Sequence, residues 1–323
     1  MSDLEYTYAV ARIRALELQL FNAQTMEQLL ACESYDSALK FLAEKGWGAG
    51  EIEDDADAVL SLERERAWEV VRDLVKDMSV FDVMNYADLY HNLKAAIKEI
   101  GVDSGNRRVF YKDTDISGER MVEIVREKDW YALPAHMQEA AREATETFIG
   151  TQDGQLCDVI VDRAALDAIY AAGKASKADI IRSYAESTVA VADIKIAVRA
   201  QKTGKSLEFI KRALAPCDSL SVDMLAQAAV SGEDAIISYL EQTGYAAGAA
   251  ALSESGSAFE RWCDDMIIET IRPQKYNAFS IGPVVAYALA RENEIKTVRI
   301  ILTGKLNGLA DDSIRERIRE TYV

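Results

Sequence analysis

The sequence is poor in residues that interrupt helices and in those that form metal sites. Of its 323 residues only four are proline, 17 are glycine and two are histidine. Few helix breakers beside abundant Ala, Leu and Glu favour helices, and no segment has a clear strand alternation. The weak strand pattern "CDVIVD" from Cys157 is better assigned to a helix. We therefore predict an all-α protein.

Long apolar runs are also missing. The longest, "YAAGAAAL" from Tyr245 and "VVAYALA" from Val284, fall far short of the roughly 20 residues that span a bilayer. The N-terminus has early acidic residues and no apolar signal region, so we expect a soluble, cytosolic chain. The cysteines have neither CxxC spacing nor a neighbouring His, which predicts reduced, buried thiols. They are Cys32, Cys157, Cys217 and Cys263.

Basic residues are too few to balance the acidic ones, since 37 Lys and Arg stand against 54 Asp and Glu and the formal net charge is -17. Because phosphates would be repelled and no basic patch compensates, nucleic acid is not expected as a partner. The acidic run "EIEDDAD" at residues 51–57 supplies part of this excess. A solvated loop followed by a helix N-terminus explains it, because carboxylates there complement the helix dipole. A partner-facing role is the alternative.

Apolar residues spaced three and four apart predict helix after helix, starting with "YAVARIRALELQLF". Long patterns cover about 55–77, 80–100, 153–172, 177–201 and 281–302. Shorter helices are predicted to begin at Thr25, Ser34, Ser117 and Pro134. Two breaks, "GVDSGN" from Gly101 and "LAPCDS" from Leu214, divide the chain into three cycles.

The three cycles resemble one another. When Asn92, Asp193 and Thr297 are aligned, an apolar pair four residues apart and a basic residue match in each cycle. These sets are Leu93, Ile97 and Lys94; Ile194, Val198 and Lys195; and Val298, Leu302 and Arg299. A second match joins "SYDSALKFLAEKGWG" from Ser34 to "GEDAIISYLEQTGYA" from Gly232. We therefore predict three similar helical domains, 1–105, 106–216 and 217–323.

The repeat also makes a packing prediction. Residues four apart lie on one helix face, so each apolar pair should be buried in its own domain. The basic residue beside it should direct its charged end to solvent, to a carboxylate or to a rim.

Apparent catalytic motifs are incomplete. "TGKS" from Thr203 resembles the end of a phosphate-binding loop, but Arg199 stands where the first glycine is required and no strand precedes it. "DTDISGERMVEI" from Asp113 resembles a calcium loop, yet Ile124 replaces the bidentate Glu, and a helix cap at Ser117 explains it better. His91 and His136 lack metal-like neighbours. Nothing favours a Ser–His–Asp arrangement, whose residues meet only in the fold. We predict no catalytic, cofactor-binding or metal site.

Several phrases carry a family resemblance that spans essentially the whole chain. "AYALARENEIKTVRIILTGKLNGL" with the closing "IRERIRETYV", "DLYHNLKAAIK" from Asp88 and the opening "YAVARIRALELQL" resemble the C-subunit family of vacuolar and archaeal-type (V/A-type) rotary ATPases, whose eukaryotic relatives are called d subunits. The resemblance implies three helical bundles in a pseudo-threefold funnel. It also implies a non-catalytic central-stalk subunit at the cytoplasmic face, between the axle subunits and the membrane proteolipid ring, without direct bilayer insertion. Asp193 and Thr297 depart from the phrase, which has Asn at that position.

Two further expectations follow. Arg291, Glu292, Glu294 and Lys296 interrupt the apolar helix at 281–302. The simplest interpretation is solvated ion pairs at helical spacing, each contributing about 0.2–0.5 kcal/mol, while the family role would place them at the wall of a socket. For the whole chain, the alternatives to a rotary ATPase subunit are a generic helical scaffold and an undetected hydrolase.

Overall fold

A computed structural model describes residues 6–48, 55–101, 110–112 and 114–323. Within these ranges the chain forms sixteen α-helices and no strand, so the all-α prediction is confirmed. The helices are α1 Thr7–Glu17, α2 Ala23–Leu30, α3 Tyr35–Glu44, α4 Ala56–Leu74, α5 Asp82–Gly101, α6 Gly118–Glu127, α7 Ala135–Thr151, α8 Gly154–Ala175, α9 Asp179–Lys202, α10 Leu207–Ala213, α11 Val222–Ser231, α12 Glu233–Leu240, α13 Ala246–Glu254, α14 Gly256–Ile271, α15 Gly282–Leu306 and α16 Asp311–Arg315. Short 3-10 helices cover Met78–Phe81, Trp130–Ala132 and Arg272–Tyr276. None of these helices combines the length and the apolar character that a membrane crossing requires.

The predicted helix starts agree with the structure at three of four positions. Ser34 and Ser117 cap α3 and α6 with their hydroxyl oxygens, and Pro134 precedes α7. The prediction for Thr25 is wrong. Asn22 is the cap of α2, because its Oδ1 accepts the Thr25 N–H at 2.9 Å, and an Asn cap starts a helix as well as a Ser or Thr cap.

The helices divide into two compact units. The first comprises Met1–Met78, Ala178–Ile180 and Ala247–Val323, and the second comprises Ser79–Lys177 and Ile181–Ala246. Helices of the first and third sequence cycles thus share the first unit. The proposed boundary at 105/106 lies outside the described residues, and the division into three domains stays a prediction.

The first unit is built around α15. This helix packs against α4, α1 and α14, and its C-terminal half joins a core with α2, α3 and α4. Leu42, Leu60 and Ile301 are among the fully buried members of that core. Most of α15 is buried, so its polar side chains need partners within the unit.

The second unit is built around α5, α7 and α8. The helix α5 packs against α8, α6 and α7, and the core includes Leu93, Ile97, Met121 and Val161. The segment "CDVIVD" lies within α8, as predicted. Gly173 of α8 allows a close helix approach, because a Cβ there would lie 2.3 Å from Cβ of Ala185 on α9.

The burial predictions from the repeat are confirmed. The six apolar pair residues Leu93, Ile97, Ile194, Val198, Val298 and Leu302 are at most 4% exposed. The second match also shows equivalent burial, since Leu42 and Leu240 are buried, as are Trp47 and Tyr245. These similarities agree with repeated helices and do not by themselves define three domains.

The acidic run and the cysteines were predicted only in part. Residues 51–54 lie outside the described ranges, while Asp55 caps α4 by accepting the Asp57 N–H at 2.9 Å. The four cysteines are free, but only Cys157 and Cys263 are buried. The other two, Cys32 after α2 and Cys217 in "LAPCDS", are only half-buried, so the prediction is wrong for them.

Candidate functional site

The charged middle of α15 is buried in the first unit. Arg291 and Glu294 lie one helical turn apart and are only 8% and 5% exposed. The Arg291 guanidinium contacts the Glu294 carboxylate, and its Nη2 donates to Oε2 of the buried Glu63 on α4 at 2.8 Å. Arg291 therefore bridges two buried carboxylates that belong to different helices.

Both carboxylates also bind backbone N–H groups. Oε1 of Glu63 accepts the N–H of Gly48 at 3.1 Å, and Oε1 of Glu294 accepts the N–H of Phe21. Arg66 contacts Glu63 and donates to the Gly48 carbonyl at 2.8 Å. The network therefore fixes the turn between α1 and α2 and the turn that follows α3. Gly48 has φ +81°, a left-handed conformation that favours glycine.

An aromatic pair completes the network. The Trp47 ring centroid lies 5.1 Å from the Arg291 guanidinium, and Phe21 stacks on Trp47 at a centroid distance of 5.2 Å. Cation–π attraction is strongest where the cation is desolvated. Burial is the main cause that raises the pKa of Glu294, and the neighbouring Arg291 charge and Phe21 N–H oppose the rise.

The remaining charges of this part of α15 are less buried and pair with other helices. Glu292 accepts from Nε of Arg64 on α4 at 2.7 Å. Lys296 contacts the Asp264 carboxylate of α14 at 2.8 Å. These ion pairs join α15 to its neighbours, although partly exposed pairs contribute only about 0.2–1 kcal/mol each.

The interpretation of this segment as solvated ion pairs is therefore wrong for Arg291 and Glu294. Their spacing along α15 is helical, but they are desolvated and are joined to a carboxylate of α4. Glu63 was missed, although it lies four residues after Val59 and four before Ala67 on a buried face. A lone charge within an apolar stripe is the signal that would have found it.

The aligned polar positions are all buried, and two of them hold connecting segments. Asn92 on α5 accepts the N–H of Tyr111 and donates to the Tyr111 carbonyl, both at 2.9 Å. Asp193 on α9 accepts the N–H of Ala215 at 2.9 Å. Thr297 on α15 instead donates to the carbonyl of Asn293 in its own helix at 2.9 Å. In the first two cycles, the side chain at this aligned position thus binds the backbone of a connecting segment that lies later in the chain.

The basic residues next to these positions also differ. Lys94 contacts Asp162 at 2.7 Å, and Arg299 contacts Asp57, so both reach carboxylates as predicted. Lys195 is half-buried.

The segments that resemble a phosphate-binding loop and a calcium loop form the ends of helices in the structure. Gly204 has φ +61° in the turn after α9, Lys205 donates to Oε1 of Gln155 at 2.8 Å, and Ser206 caps α10. Ser117 caps α6, whereas Asp113 lies outside the described residues. In the second unit, Nδ1 of His136 lies 3.0 Å from the Tyr90 hydroxyl.

Metal ligands do not gather in the part of the chain that the structure describes: no group of three or more His, Cys, Asp or Glu side chains there could hold an ion. The buried charges and amides described above bind other side chains and the backbone of the chain itself.

These features define a helical protein whose buried charges and amides join helices to one another and to their connecting segments. The chain belongs to the ATP synthase (C/AC39) subunit family, whose model matches residues 9–317. The family resemblance seen in the sequence is thereby confirmed.

Two relatives match along almost the whole chain. The C subunit of the V-type sodium ATPase of Enterococcus hirae is 23% identical over 327 residues, which cover 99% of each chain. The C subunit of the A-type ATP synthase of Methanocaldococcus jannaschii is 24% identical and covers 96% of this chain and 85% of its own. The corresponding A-type ATP synthase C subunit of Desulfurococcus sp. is 30% identical over 142 residues, 42% of this chain and 38% of its own.

Proposed function

We propose that this chain is a non-catalytic central-stalk subunit of a V/A-type rotary ATPase. It couples the central axle to the membrane proteolipid ring during ATP-driven ion pumping or ion-driven ATP synthesis. The observation that carries the proposal is the family match over residues 9–317, together with two C subunits of such enzymes that align along almost the whole chain.

The architecture of the first unit supports a mechanical role. A subunit that transmits torque must resist deformation between two interfaces, and close-packed interiors transmit strain with little compression. The Glu63–Arg291–Glu294 network adds polar contacts that join α4 and α15 to two turns. A deformation that separates these elements would leave buried charges unpaired, which is costly.

The same proposal assigns the arrangement and location of the chain. The three sequence cycles form similar bundles in a funnel, with the axle subunits at one end and the ring at the other. The chain is a peripheral subunit at the cytoplasmic face, and the ring supplies its contact with the membrane. The matching burial in the three cycles and the absence of a membrane-crossing helix in the described ranges are compatible with this arrangement.

Depletion and add-back of the chain test the function. Membranes that lack it should retain less of the catalytic head after sedimentation, and ion uptake driven by ATP should fall, while the detached head still hydrolyses ATP. Adding back the purified chain should restore both attachment and ion uptake, and adding an unrelated acidic helical protein should not. Full ion uptake in depleted membranes, or ATP hydrolysis by the isolated chain, would contradict the proposal and favour a scaffold or an enzyme.

A further inference from the structure

Asp193 on α9 has one buried carboxyl oxygen that makes no hydrogen bond with the described residues. The side chain is 1% exposed. Its Oδ1 accepts the Ala215 N–H at 2.9 Å, whereas Oδ2 has no hydrogen-bond partner among the described residues. A buried polar atom without a partner is rare in folded proteins and calls for an explanation.

We propose that Asp193 is a pH-sensitive latch for the second connector, residues 214–219 ("LAPCDS"): the protonated carboxyl holds the connector closed, and ionisation of that carboxyl favours its opening. The proposal concerns the chain itself and does not depend on the proposed rotary role.

The charged groups that face Asp193 are one cation and two carboxylates, and Cys217 of the connector is a further titratable neighbour. Arg163 of α8 is the nearby cation, but its Nε already binds both oxygens of Asp167 at 3.0 and 2.9 Å. Its Nη1 donates to the Leu214 carbonyl of the connector. Glu186, also on α9, adds a further negative charge. An ionised Asp193 would therefore be a third negative charge beside Asp167 and Glu186, and it would lack a free counter-charge.

Glu186 is itself held by the connector. Its two carboxylate oxygens accept the N–H groups of Asp218 and Ser219 at 3.1 and 2.8 Å. The connector is thus bound at its start by Arg163 and Asp193 and near its end by Glu186, and its own Asp218 accepts from Tyr170 and Lys174 of α8. Opening at Asp193 would expose Oδ2, which is inaccessible to bulk solvent in the closed state.

These surroundings act on the pKa in the expected direction. The pKa of Asp193 is raised to about 7, chiefly by burial; the Ala215 N–H and Arg163 oppose the rise, and Asp167 and Glu186 contribute smaller increases. The folded pKa is thus above the value of a solvated Asp. The closed connector binds a proton that the open one releases, so stability of the closed state falls as pH rises towards 7. By linkage, the opening equilibrium increases up to about tenfold per pH unit below pH 7 and levels off above it.

Residues 110–112 and 114–116, which we call the first connector, provide an internal comparison. Asn92 occupies the aligned position, and both of its side-chain polar atoms are bonded: Oδ1 to the Tyr111 N–H, and Nδ2 to the Tyr111 carbonyl and the Thr114 hydroxyl, all at 2.9 Å. A neutral amide therefore suffices to hold a connector at this register. Asp193 has a carboxyl where Asn92 has an amide. Because the carboxyl titrates, the binding of the second connector depends on pH, whereas the binding of the first does not.

Hydrogen exchange of the full chain tests the latch. Protection of a peptide that covers 214–220 is measured from pH 5 to pH 8 and corrected for the pH dependence of chemical exchange. The wild type should lose protection as pH rises and reach a plateau above pH 7. Asp193→Asn, which cannot ionise, should keep the connector protected with a flat profile.

Two further variants make the test decisive. Asp218→Asn weakens the contacts of this connector with Lys174 and Tyr170, at 2.6 and 2.7 Å, and should lower protection at every pH. It should leave the wild-type slope unchanged, because Lys174 and Tyr170 lower the pKa of Asp218 and its carboxyl stays ionised from pH 5 to pH 8. Asn92→Asp should give the first connector, followed through residues 110–116, a new loss of protection with rising pH. A flat wild-type profile, or the same slope in Asp193→Asn, would overturn the proposal. If Asp193→Asn does not fold, the latch is supported when protection of the second connector in the wild type falls with rising pH and Asn92→Asp gives the first connector the same dependence. If either dependence is missing, the proposal is overturned.

Discussion

Replacement of Arg291 by Ala removes the cation of the buried network in the first unit. The Arg291 side chain bridges Glu63 and Glu294, which are both nearly inaccessible to solvent. The N–H donors from Gly48 and Phe21 remain, and the partly exposed Arg66 still contacts Glu63, but Glu294 loses its only cation in the network. Two carboxylates are then left close together in a desolvated space.

The expected loss is large because one partner of a buried ion pair is removed. Such changes cost about 3–5 kcal/mol, and the lost cation–π contact with Trp47, about 0.5–2 kcal/mol, is counted within that range because the same group makes both interactions. The cost should grow with pH. Without Arg291 the folded pKa of Glu294 rises further above its unfolded value, so the variant is least destabilised at acidic pH, where the carboxyl is protonated, and loses stability as pH rises.

Urea unfolding of the purified chain at pH 5.5 and pH 8, followed by the loss of helical circular dichroism, measures this effect. Lys296→Ala is the matched control, since it removes a cation from the same helix whose side chain is half-exposed. Its cost should stay below about 1 kcal/mol. The reasoning is refuted if Arg291→Ala costs no more than the control, or if its cost falls with rising pH.

Three other experiments test the packing. Leu93→Ala should cost about 2–5 kcal/mol in urea unfolding because the side chain is fully buried, whereas Lys94→Ala should cost less than about 1 kcal/mol; equal costs would contradict the repeat register. Gly173→Val should lower the melting temperature in calorimetry, because even a Cβ would lie 2.3 Å from that of Ala185, and an unchanged melting temperature would contradict the close contact of α8 and α9. Cys157 should resist thiol reagents at pH 8 until urea unfolds the chain, since it is buried and burial raises its pKa to about 11; fast labelling of the folded chain would contradict this.

Much of the helical structure could be predicted because it depends on local patterns. Apolar spacing and caps such as Ser34 and Ser117 act within one or two turns, and they predicted the long helices closely. The prediction that Thr25 begins α2 is wrong because the cap is Asn22, three residues earlier, whose side chain accepts the N–H of Thr25. The contact of α4 with α15 joins segments more than 200 positions apart, which no local pattern specifies.

The buried networks were less accessible to sequence reasoning. A charge on a helix is usually solvated, so Arg291 and Glu294 had no local sign of burial, and their neighbour Glu63 is distant in sequence. The repeat was more informative. It aligned Asn92 with Asp193, and both prove to hold a connector, although the unpartnered oxygen of Asp193 depends on side-chain packing that the alignment does not contain.

The position of this chain in the proposed rotary complex can be measured in a structure of the assembled complex at side-chain resolution. We predict that the chain lies at the cytoplasmic face between the axle and the proteolipid ring, that it turns with them in each rotational state, and that its buried Glu63–Arg291–Glu294 network is intact. A chain bound to a stationary peripheral stalk, or absent from a fully coupled complex, would contradict the proposed function.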